Sequence, residues 1–114
     1  MLNYTTHVDL VFRALADPVR RGMVDRLSRS AATVTELAEP LDMSMPAVMQ
    51  HLRLLEASGL VTSTKSGRVR TCRLQPAALR GVEDWIASRR AAWEQDLDRL
   101  EALLSEQDED STAP

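Results

Sequence analysis

The sequence predicts a mainly α-helical domain carrying one small β-hairpin, in the order of four helices, a hairpin and a long last helix. Three observations point there. Apolar residues recur at helical spacing over most of the chain. The period switches to alternation only between residues 60 and 74. Leu79, Val82, Ile86, Trp93, Leu97, Leu100 and Leu104 then follow at steps of three, four or seven, close to a heptad seam.

Val8, Val11, Phe12 and Leu15 lie at helical spacing and predict a first helix over about residues 6–16. Asp17-Pro18 ends it and starts the next: Asp suits an N-cap, and Pro suits the first helical position, where its missing N–H would be unpaired anyway. Val19, Met23, Val24 and Leu27 give this second helix its apolar stripe. A short third helix runs from Thr35 to Leu41, limited by Pro40 and Asp42. Ser44 caps a fourth, Met45–Ser58, with Pro46 in its first turn and Val48, Leu52 and Leu55 facing the core. Gly59 sits where a left-handed residue commonly follows a helix. Residues 60–65 and 68–74 read as strands joined by a Ser66-Gly67 turn, and Pro76 opens the last helix. The acidic segment 108–114 has no apolar anchor and reads as a disordered tail to a domain of residues 1–107.

The chain has 114 residues, 44% of them apolar, enough for one domain with a small core. No basic-then-apolar leader and no long apolar run is present, so the expectation is no membrane association and a cytoplasmic protein. The single cysteine, Cys72, fits a reducing compartment. The net charge is −3, but its distribution is uneven. Residues 44–74 hold Arg53, Lys65, Arg68, Arg70 and Arg73 against Glu56 alone, whereas residues 75–114 hold four Arg against ten acids. Screening makes such a local cationic stripe matter more to a phosphate than the chain's overall sum.

Two short helices joined by a tight turn and followed by a charged hairpin form the layout of a winged helix-turn-helix. The second helix of such a pair fits the major groove, where base edges differ, and the hairpin adds cations beside it. Opposite the core stripe of the fourth helix lie Pro46, Met49, Gln50 and Arg53. Gln50 can pair bidentately with adenine, Arg53 can reach guanine or phosphate, and Met49 can meet a thymine methyl. Ser44 and the exposed N–H groups near it suit a phosphate. Lys65, Arg68 and Arg70 would bind backbone from the hairpin. The plainer alternative is that Gln50 and Arg53 are only the wet face of an amphipathic helix. His51, on the flank of the stripe, reads either as a phosphate donor or as a packed histidine satisfied by a carbonyl.

The segments ALADPVRR (14–21), VTELAEPLDMSMPAVMQHLRLLEASGLV (34–61) and SGRVRTCRL (66–74) resemble the ArsR/SmtB-type bacterial repressors, over about Val8 to Leu104. The resemblance implies a symmetric dimer built on the first and last helices, which blocks transcription until an inducer loosens it. It also favours the phosphate role for His51. Met49 stands where the family commonly has a small Ser, so the operator sequence does not carry over. The resemblance is to a branch without the known metal ligands. Metal-sensing relatives use cysteine pairs on the helix before the reading helix, or acid and histidine pairs on the last helix; here the third helix lacks Cys and His, and the last lacks His. No metal and no cofactor is expected. Arg70 and Arg73 could lower the pKa of Cys72 and make it a thiol switch, although a lone strand Cys more often faces the core.

The expected dimer interface comprises Tyr4, Val8 and Phe12 from the first helix and Trp85, Ile86, Trp93, Leu97 and Leu100 from the last, where the large apolar residues exceed what one small core needs. The expected partners are double-stranded DNA carrying an inverted repeat, a second copy of the chain, and an inducer that the residues do not identify. Two other functions fit less of the sequence: a metal-responsive repressor, and an interaction adaptor using the long helix. An enzyme is not expected, since the chain has no Gly-rich phosphate loop, nucleophile elbow or metal triad.

Overall fold

The computed structural model describes the backbone of residues 4–111 and the side chains of residues 7–108. Its elements are α1 (Tyr4–Leu15), α2 (Pro18–Arg29), β1 (Ala32–Thr33), α3 (Val34–Ala38), α4 (Met45–Ala57), β2 (Val61–Ser66), β3 (Val69–Leu74), a 3₁₀ turn (Pro76–Leu79) and α5 (Arg80–Ser111). The chain divides into two compact units after Val82.

The helix starts follow the local chemistry. Asp17 is the N-cap of α2, and its carboxylate accepts the Arg20 N–H at 3.0 Å, with Pro18 next in line. Thr33 caps α3 in a reciprocal capping box with Glu36: Thr33 Oγ1 accepts the Glu36 N–H at 3.1 Å, and Glu36 Oε1 accepts the Thr33 N–H at 3.2 Å. The helix therefore begins one residue before the Thr35 start expected, and it closes at Ala38 rather than Leu41. Ser44 caps α4 by accepting from the Ala47 N–H at 3.3 Å. Gly59, at φ +83°, takes the left-handed position after α4. Beside it Ser58 is buried yet satisfied, its hydroxyl donating to Leu55 O and accepting from the Leu60 N–H.

The first unit buries Val8, Val11 and Ala14 of α1 with Met23 and Leu27 of α2 and Val48, Leu52 and Leu55 of α4. Leu37, Val61, Cys72 and Val82 close this core from α3, the sheet and the first turns of α5. The sheet has three antiparallel strands in the order β1-β3-β2. β1 was not anticipated: two residues carry no strand period, and Ala32 and Thr33 become a strand only by pairing with Cys72 and Thr71. The hairpin differs by one residue from expectation. Ser66 pairs with Val69, so the turn is Gly67-Arg68 and not Ser66-Gly67. Gly67 supplies the positive φ, +63°, that the first central position of a type II′ turn needs.

The second unit is the rest of α5. Its Trp85, Ile86, Trp93, Leu97, Leu100, Leu103 and Leu104 are exposed, with Trp93 at 60%. Pro76 opens a 3₁₀ turn before the α-helix, and the helix itself continues to Ser111, into the segment read as a tail. Among the described residues no helix is long and apolar enough to cross a membrane.

Candidate nucleic-acid interface

The register of the α4 helix decides which side chains it offers. Burial of Val48, Leu52 and Leu55 turns Pro46, Gln50 and Arg53 to solvent. Among the described residues neither Gln50 nor Arg53 has a side-chain hydrogen bond or ion pair, so both remain available to a ligand. Met49 is half-buried: it packs against the core and lines a cleft beside the helix. Ser44 is exposed, and its oxygen is the acceptor in the cap, which leaves its O–H free to donate.

The hairpin forms the other side of that cleft. Pairing of Lys65 with Arg70, Ser63 with Cys72 and Val61 with Leu74 places these pairs on one face of the β2–β3 ribbon. Val61 and Cys72 anchor this face in the core, and towards the tip the same face becomes cationic. Two like charges directly opposite destabilise a sheet, so the Lys65–Arg70 pair costs stability unless an anion lies near. Arg70 is held in place: its Nη1 donates to Ser63 Oγ at 3.1 Å, and that hydroxyl donates to Glu56 Oε1 of α4 at 2.6 Å. The chain Arg70–Ser63–Glu56 thus ties the hairpin to the helix. Lys65 and Arg68 are exposed, Arg68 in the turn itself.

Between them is a cleft of about 490 Å³ lined by Met45 and Met49 of α4, by Thr33, Val34 and Thr35, and by Lys65, Arg68, Val69 and Arg70 of the hairpin. The structure thus brings Met49, Lys65, Arg68 and Arg70 to one cleft and sets Gln50 and Arg53 on the exposed face of the same helix. Met45 and Thr35 were not singled out from the sequence. Met45 follows the Ser44 cap, so its place at the helix entrance was legible; Thr35 reaches the cleft only through packing of α3 against the sheet.

His51 is committed to the fold through one of its ring nitrogens. Nδ1 lies 3.1 Å from Arg20 Nη1 and 3.9 Å from Asp17 Oδ2. The Arg20 contact is the one within hydrogen-bond range; there Nδ1 accepts, and the ring proton stays on Nε2. The N–H of Arg20, with the Arg20 charge nearby, holds the Asp17 carboxyl below its usual range.

Cys72 departs from the switch reading. It is 0% exposed, and burial, reinforced by Glu56, pushes its thiol up despite Arg70. Of the expected interface residues on α1, Val8 is part of the core at 3% exposure, Phe12 is 39% exposed, and the side chain of Tyr4 lies outside the described residues. Among the described residues no three His, Cys, Asp or Glu side chains gather as metal ligands would.

A helix-turn-helix domain family matches residues 15–64, which span α2, α3, α4 and most of β2. The chain is 40% identical to HTH-type transcriptional regulator Rv2034 of Mycobacterium tuberculosis over 92 residues, covering 81% of this chain and 76% of that one. A solved structure described as an ArsR family transcriptional regulator, RHA00566, superposes with a TM-score of 0.77 at 46% identity, over 82% of this chain and 97% of that one. This chain belongs to the ArsR/SmtB family of winged helix-turn-helix regulators. The arsenical resistance operon repressor of Escherichia coli is a further ArsR/SmtB relative, 33% identical over 82% of this chain and 79% of that one. In ArsR/SmtB terms α3 and α4 are the helix-turn-helix and β2–β3 the wing, so the cleft described above lies between α4 and the wing.

Proposed function

We propose that this chain is a homodimeric transcriptional repressor that reads an inverted-repeat operator with α4 and grips its backbone with the wing. One observation carries the reading: Gln50 and Arg53 of α4, exposed and without a side-chain partner among the described residues, share their helix with a cleft whose far wall is Lys65, Arg68 and Arg70. A base-reading face with no internal partner, flanked by cations, is the arrangement in which phosphate contacts position and base contacts specify. Repression is supported by the relatives that bear the name repressor. Dimerisation is supported by the row of exposed large apolar residues on α5, since contiguous exposed apolar patches mark interaction surfaces. Two-fold symmetry would place two copies of α4 roughly 34 Å apart, one turn of B-DNA. An inducer releases the complex, DNA is the polymer partner, and the site of action is the cytoplasm.

The test is a fluorescence-anisotropy titration onto the DNA upstream of the chain's own gene and onto a scrambled fragment, at two salt concentrations. The expected result is tight binding to the first, weaker binding to the second, and a steep loss with salt. Equal weak binding to both fragments would remove sequence reading from the proposal. No binding by a folded dimer would transfer the long helix to the role of a protein-interaction adaptor.

A further inference from the structure

A second cleft lies on the opposite side of α3, between that helix and α2, and the DNA-facing surface makes no use of it. It encloses about 450 Å³, within the range of roughly 300–1,000 Å³ common for small-molecule sites. Its floor is apolar, built from the buried Met23 and Leu37 with Val19 and Leu41 beside them. Arg26 and Arg29 line it as well.

Gly22 borders this cleft. It stands inside α2, where glycine weakens a helix relative to alanine. Its φ is not positive, so the backbone does not require it, and an added Cβ would meet nothing within 4 Å, so no close neighbour requires it. Gly22 is part of the cleft's lining, so a large side chain at this position would reach into it.

The charges define the ligand. Arg29 is exposed and has no hydrogen bond or ion pair among the described residues. Arg26 lends Nη1 to Ser30 and holds Nη2 3.5 Å from Glu36 Oε2. Glu36 in turn spends Oε1 on Thr33, the cap of α3. An incoming carboxylate would pair with Arg29 and compete with Glu36 for Arg26. The five-residue α3 is common to both clefts: Glu36 and Leu37 face this one, and Val34 and Thr35 line the one beside the wing. A carboxylate that took Arg26 from Glu36 would remove one tie between α2 and α3, the helix that also walls the cleft beside the wing.

We propose that the α2–α3 cleft binds an amphiphilic organic carboxylate, its chain on Met23 and Leu37 and its charge on Arg29 and Arg26, and that occupancy lowers DNA affinity. The last clause rests on the function proposed above; the binding site does not.

The probe is decanoate, below its micellar range, with decanol as the uncharged control, titrated into the full chain and followed by amide NMR. Expected are saturable shifts at Gly22 and Leu37, binding about tenfold weaker for decanol and for Arg29→Gln, and loss of saturable binding in Gly22→Leu, which fills the cleft while remaining folded by circular dichroism. Anisotropy on operator DNA should then show decanoate weakening the wild-type complex and leaving the Gly22→Leu complex unchanged. Shifts confined to the α5 apolar row, or surviving in Gly22→Leu, would overturn the site. Equal binding of decanol would overturn the ligand class. Altered self-association of Gly22→Leu in sedimentation would overturn the site in favour of a protein contact. Saturable binding without any change in DNA affinity would overturn the regulatory clause. If the ligand-free protein bound no DNA, the function reading would fail, while the NMR titration would still decide the site.

Discussion

Arg20 Nη1 of α2 lies 3.1 Å from His51 Nδ1 of α4, and the same guanidinium reaches back to α1, its Nε donating to Ala14 O at 2.8 Å and its Nη2 to Arg13 O at 3.1 Å. The last carbonyls of α1 have no partner within the helix, and a cation there also meets the negative end of the helix dipole. Arg21 adds a bond to Leu15 O at 2.8 Å. Arg20 thus joins the end of α1, the start of α2 and the flank of α4.

Truncating Arg20 should therefore cost more than an ordinary surface change. Arg20→Ala is expected to destabilise the protein by about 2 kcal/mol, since it removes hydrogen bonds from a charged donor in a half-buried position. Arg20→Lys should recover only part of this, because an ammonium cannot present the same planar fork to two carbonyls and a ring nitrogen. Urea unfolding of the three proteins measures it; an Arg20→Ala midpoint equal to wild type would show the network to be without weight.

The Asp17 carboxylate makes part of this stability depend on pH. Its pKa is lowered chiefly by the Arg20 N–H, with the Arg20 charge assisting. A carboxyl depressed in the fold contributes stability that is present above its unfolded pKa and is lost as pH falls through the folded value. Asp17→Asn keeps a competent N-cap and removes the charge. The variant should be less stable than wild type at about pH 7, and the difference should shrink progressively as pH falls below about 4. Thermal melts across that window decide it, and a difference that persisted unchanged in acid would rule out the charge as its cause.

The positions of Asp17, Ser44 and Gly59 show why so much of the fold was legible. Each acts through backbone groups within three residues, so the signal is contained in a few letters of sequence. The capping box of Thr33 and Glu36 was equally local, though the helix was expected to start at Thr35. What was not legible depends on partners far along the chain. Ala32 and Thr33 are a strand only because of Cys72 and Thr71, and His51 meets Arg20 across 31 positions. The hairpin turn turned on one residue, and that residue decides that Lys65 faces Arg70. For the site, helical period alone set Gln50 and Arg53 on the open face of α4; the cleft shared by Met49 and the wing is a tertiary feature no period announces.

Burial of Cys72 predicts an inert thiol. With its pKa raised and no exposed surface, it should remain unmodified by iodoacetamide in the native protein at mildly alkaline pH, and react once the protein is unfolded in guanidinium. Mass spectrometry of the two samples reads the result directly. Rapid native alkylation would restore the thiol-switch reading that burial now opposes.

Reading helix and wing should separate in their effects on DNA. Gln50→Ala and Arg53→Ala remove groups with no side-chain partner among the described residues, so the fold should not suffer, and each should cost about 1–3 kcal/mol on the true operator while relaxing base preference. Lys65→Ala and Arg68→Ala should weaken binding evenly across sequences and flatten the salt slope by about one unit. Arg70→Ala should do both less cleanly, because its loss also strips Ser63 of a donor and loosens the link to Glu56. Anisotropy on operator and point-substituted DNA over a salt series distinguishes the classes. If wing substitutions altered base preference and helix substitutions did not, the roles assigned to α4 and to the β2–β3 wing would have to be exchanged.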